Sequence, residues 1–114
     1  MNQKTSLLTH TVTASGAVSA HRFVGFDGAQ VAASGGKALG VSTFAATDGQ
    51  DLAVDVIGTT VVETAGAIDA GDDVVSDASG LAIVNPEVGG EIVAAVALDD
   101  ATGAGEFIEV LLVH

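Results

Sequence analysis

Between its fifteen glycines the chain runs in short apolar bursts, not in long helical periods. Few windows between Gly16 and Gly105 are long enough for an uninterrupted helix, while the bursts are rich in Val, Ile and Thr, which suit pleated surfaces. The pattern predicts an all-β chain of short strands.

The first run, Ser6 to Ala14, places Leu8, His10 and Val12 on one face and Leu7, Thr9, Thr11 and Thr13 on the other, then stops at Ser15-Gly16. "VSAHRFVGF" leads to Asp27-Gly28 and "AQVAA"; a DG pair between two such runs predicts a hairpin across Val24 to Ala32. "SGGK" reads as a joint before "ALGVSTF". In "DLAVDVI" the alternation is cleanest, with Leu52, Val54 and Val56 opposite Asp51, Ala53 and Asp55. Gly58 then separates it from a further strand, "TTVVET". "DVVSDA" and "LAIV" follow as a hairpin around Ser79-Gly80, and Asn85-Pro86 with Gly89-Gly90 marks a loop. The last third holds "EIVAAVAL", whose alanines also allow a short helix, and "EFIEVLLV", both apolar on two faces and therefore covered on both sides. The polar start, residues 1–5, reads as a flexible arm, and residues 6–114 as one all-β domain.

Composition sharpens this picture. A length of 114 residues fits one domain, and the absence of cysteine removes disulfides and thiolate zinc sites. The apolar content is mostly Ala and Val, with four Phe and no Trp or Tyr, so each buried side chain contributes little area. Burial between subunits would supplement such a core, which favours an oligomer. The longest strongly apolar run, Ile92 to Leu98, falls far short of the roughly 20 residues that a membrane-spanning helix needs. The start also lacks the apolar stretch of a secretory signal. Fifteen acids against three bases give a net charge of −12, which repels phosphate backbones. Neither a membrane nor a nucleic-acid partner is expected.

Candidate chemistry fails on spacing. The aspartates of Ala65 to Pro86 suggest a calcium loop. Counted from Asp69, however, the third, sixth and twelfth positions hold Gly71, Val74 and Gly80 where ligand, glycine and glutamate are required. Asp72, Asp73 and Asp77 are left as an irregular cation set or as turn formers that accept backbone N–H groups. Gly36-Lys37 lacks the flanking residues of a phosphate loop. His10, His21 and His114 stand too far apart in sequence for a preset metal pair, and no serine occupies a nucleophile elbow. With no nucleophile, base and orienting group in view, neither an enzyme nor a cofactor is expected.

The segment Lys37 to Ile83 carries a resemblance: Leu39-Gly40-Val41, Gly49, Val54, Val56, Gly58, Ile68, Gly71-Asp72, Val74, Asp77 and Gly80, followed by Ala97, Gly103, Gly105 and Val110. In this order of glycines and β-branched positions the chain resembles small tailed-phage capsid decoration, or cement, proteins. The resemblance implies a compact β-barrel or a β-clip or β-tulip-like body. It also implies a homotrimer on the outside of the virion, made in the host cytoplasm, and a terminal arm that reaches the major capsid protein. The expected role is to bind and stabilise the capsid lattice. Asn2, Gln3, Lys4, Thr5, Ser6, Leu7 and Leu8 are the expected lattice contacts, since Lys4 is a cation in an acidic chain. An alternative, a β-module for a small ligand or glycan, is weakened by the missing Trp and Tyr platforms.

Overall fold

A computed structural model describes residues 5–113, and among these no helix occurs. Eight strands form: β1 (Ser6–Thr13), β2 (Phe23–Val24), β3 (Gly40–Ser42), β4 (Asp51–Ala65), β5 (Asp73–Ser76), β6 (Ala82–Val84), β7 (Ala95–Ala97) and β8 (Ala104–Leu112).

β4 organises the molecule. Its first half pairs antiparallel with β1 and with β3, and β3 in turn pairs with β2. Its second half pairs antiparallel with β8 and, at Thr64, in parallel with Ala82 of β6. Since β6 pairs with β5, β5 with β7 and β7 with β8, the path β4-β6-β5-β7-β8 returns to β4. The result is a closed five-strand barrel with a smaller sheet built on the other half of its longest strand.

The strand expected to break at Gly58 therefore continues. Gly58 has a φ of 105°, and a Cβ there would run into the carbonyl oxygen of Thr5. The glycine lets the strand turn and lets the start of the chain approach it, without ending the ladder. Along β4 the even positions Leu52, Val54, Val56, Thr60, Val62 and Thr64 are buried, which is the period of two expected for one covered face.

Two hydrophobic cores follow from this division. The larger fills the barrel with Val62, Val74, Ala82, Ala95, Ala97, Ile108 and Val110, completed by Phe23 and Ile68. The smaller lies under β1 and β3 and comprises Ala14, Val18, Val24, Ala46, Leu52, Val54 and Val56. Adjacent Phe23 and Val24 in β2 point into different cores, so this two-residue strand joins them.

The loops use the expected turn chemistry. Gly25 N donates to Ala29 O at 2.8 Å across the Asp27-Gly28 turn, and Asp27 Oδ1 accepts from Ala29 N. Asp77 Oδ1 accepts from Ser79 N at 2.8 Å and Leu81 N at 2.9 Å, holding the β5–β6 turn. "EIVAAVAL" holds the short strand β7 and not a helix, because Ala95–Ala97 pair with both β5 and β8. Pairing on both edges outweighs the helix preference of alanine.

Candidate functional site

β1 is the one long strand that the cores leave largely uncovered. Val12 packs partly on the smaller core, but Leu8 and His10, which share its face by alternation, are exposed. Leu7 is 74% exposed and Leu8 46%. Leu8 lies opposite Ile57 of β4, itself 45% exposed, so two uncovered aliphatic side chains face each other across the ladder.

Hydroxyls hold the start of β1 in place. Thr5 N donates to Thr59 Oγ1 at 2.7 Å, and Thr59 N donates to Thr5 O at 2.9 Å. Ser6 Oγ and Thr9 Oγ1 donate to Asp55 Oδ1 at 3.1 and 2.9 Å, and Thr60 Oγ1 donates to Asp55 Oδ2 at 2.7 Å. Asp55 is wholly buried although its position in the strand faces outward, because these hydroxyls roof it over. Burying a carboxylate without donors is costly, so the Ser-x-x-Thr spacing of β1 and Asp55 require each other. Of the expected arm, Thr5 to Leu8 are thus seated against β4, whereas Asn2, Gln3 and Lys4 lie outside the described residues.

Charge is distributed unevenly around this strand. Every one of the fifteen acids lies between Asp27 and Glu109, while the 26 residues before them carry Lys4 and Arg22. Arg22 sits 3.6 Å from Glu63 and donates to Ser79 O at 3.0 Å. β1 itself, "SLLTHTVT", has no charged carboxylate or amine. Among the acids, Glu106 has its carboxyl held below the ordinary range, chiefly by the hydroxyl of Thr102 and also by the N–H groups of Thr102 and Gly103.

Of the aspartates read as an alternative cation set, Asp72 and Asp77 accept backbone N–H groups in this structure. Asp72 Oδ2 accepts from Asp69 N at 2.9 Å and Asp100 Oδ1 from Ala70 N at 2.7 Å. Among the described residues no group of three His, Asp or Glu side chains is placed to hold a metal ion. His10 stands exposed on β1, and His21 packs edge-on against Phe107 with ring centroids 5.5 Å apart. A cleft of about 380 Å³ is lined by Gly71, Asp72, Asp73, Val84, Asn85 and Glu87. It offers no aromatic platform for a sugar.

The sequence reading missed Ile57 and Asp55 as parts of this surface. The acid-free start was visible as a signal. Alternation in "DLAVDVI" separates Asp55 from Leu52, Val54 and Val56 but does not show what covers its own face.

Comparison with known proteins decides the family. The phage cement protein family matches residues 1–112. The chain belongs to that family. Membership gives the cement protein a structural, capsid-associated role in a phage particle. Among solved structures, the head fiber N base of bacteriophage phi29 superposes with a TM-score of 0.72. It shares 18% identity over 93% of each chain, which is a likeness of fold. No curated protein matches the chain.

Proposed function

We propose that this cement protein binds the outer surface of its phage's capsid lattice and stabilises it, acting as a homotrimer without catalysis. Residues 1–5 form an arm that leads into one folded body, and Asn2 to Leu8 make the lattice contacts. The observation that carries the reading is the exposed, acid-free first strand with Leu7 and Leu8 uncovered, in a chain otherwise strongly acidic. Such a chain is kept dispersed by its charge, yet presents on β1 a surface where apolar and backbone contacts form without bringing carboxylates together.

Stabilisation follows from linkage. A protein that binds the assembled lattice and not its dissociated subunits shifts the equilibrium towards the lattice, and many weak contacts on a repeating surface add through effective concentration. The test is to add purified protein to expanded capsids that lack it. Saturable binding, with a higher disruption temperature of the loaded shells, is expected. Unchanged shells with no bound protein would remove the proposal. The mass of the free protein in solution checks the trimer.

A further inference from the structure

We infer that the outer edge of β1 receives an extended segment of the capsid shell protein as an additional antiparallel or parallel strand, so that main-chain hydrogen bonds join cement protein and lattice. This rests on the lattice-binding reading and specifies how that contact is made.

The edge is defined by hydrogen-bond alternation. Ala14 N donates to Gln50 O at 2.8 Å and Ala14 O accepts from Gly49 N at 2.9 Å, so the main chain of Ala14 points towards β4. Two-residue alternation then turns Val12 and His10 the same way and Thr9, Thr11 and Thr13 outwards. At Thr13 the edge is closed, because Gly28 packs so near its carbonyl oxygen that a Cβ would collide, and Ser15 N donates to Gly28 O at 3.1 Å. Towards the other end, the register shifts on either side of Leu8 interrupt the regular ladder. Among the described residues none pairs with the outward main chain of Thr9 or Thr11.

An open edge of this kind is normally blunted with lysine, proline or an inward charge. β1 carries none of these. Its flanking side chains are threonines, a histidine and the exposed leucines, which suit a pleated neighbour and place no carboxylate against it.

The shell, and not a second copy, is the fitting occupant. The open stretch offers the main-chain groups of two residues, too few to hold two free copies of a strongly acidic chain together. On a lattice the same few bonds suffice, because every copy is presented next to its site. The edge lies directly beside Thr5 to Leu8, which belong to the proposed lattice contacts, and the net charge of −12 makes a neutral or basic segment the better match.

Hydrogen exchange of the full-length protein, free and bound to expanded capsids, tests this. The Thr9 and Thr11 amides should exchange at least about ten-fold more slowly when bound. Thr11→Pro removes an outward donor without touching the β4 ladder and should weaken capsid binding about ten-fold or more, whereas Thr11→Val should bind like the wild type. Should Thr11→Pro fold poorly, the wild-type exchange measurement decides alone. Binding with unprotected Thr9 and Thr11 amides overturns strand addition and leaves lattice binding standing; no capsid binding at all defeats both. Amides already protected in a free dimer that Thr11→Pro splits would assign the edge to a second copy and overturn the inference.

Discussion

Thr9 and Asp55 stand directly opposite each other across the β1–β4 ladder, and the threonine hydroxyl donates to the buried carboxylate at 2.9 Å. Together with Ser6 and Thr60 this contact seats the first strand. Asp55→Ala strands three hydroxyls around a void and should cost about 3 kcal/mol in urea unfolding, given the usual value of hydrogen bonds to charged groups. Faster amide exchange along β1 than in the barrel should accompany the loss. Equal exchange in both regions would show that Asp55 does not hold β1 specifically.

Two kinds of glycine in this chain respond oppositely to an added methyl group. A Cβ on Gly40 would collide with the carbonyl oxygen of Asp55, a backbone atom that cannot swing aside. Gly66 and Gly103 have open space at that position and no left-handed backbone. Gly40→Ala should therefore lose about 2 kcal/mol or more, while Gly66→Ala and Gly103→Ala should stay within about 0.5 kcal/mol of the wild type. Denaturant midpoints of the three variants check this.

Phe23 is fully buried in a barrel core made mostly of Val and Ala, whereas Phe44 is 48% exposed. Small neighbours cannot fill the space that a lost ring leaves. Phe23→Ala should destabilise by about 3–5 kcal/mol, and Phe44→Ala by less than about 1 kcal/mol. Thermal melts of both variants give the comparison.

Glu106 should make a small pH-dependent contribution through its bond to Thr102. Its folded pKa lies below the reference value of 4.5, so the stabilisation is present above that value and is lost as pH falls through the lowered pKa. The melting-temperature difference between wild type and Glu106→Gln should be constant near neutrality and shrink below about pH 4. A difference that persists unchanged into strong acid would count against the assignment.

The sequence made the strands and turns readable where local chemistry is decisive. Asp27-Gly28 and Ser79-Gly80 stand at turns as expected, and Asp77 serves its backbone as a turn former. Leu52, Val54 and Val56 share a buried face as their alternation requires. Gly58 misled the reading because a glycine that admits a close backbone looks, in sequence, like one that ends a strand. β1 is a different case: its alternation shows which side chains share a face but not whether anything covers that face, and Leu8 and His10 are exposed. Asp55 accepts from Ser6, 49 positions away, and no local pattern announces such a meeting.

β4 has a mechanical meaning beyond topology. One polypeptide segment contributes alternate side chains first to the smaller core and then to the barrel. Shear applied to either sheet passes to the other along covalent bonds, not across a row of hydrogen bonds that could unzip one by one. A shell-bound protein built this way yields as a unit or not at all, and its unfolding should show a single cooperative transition despite the two cores.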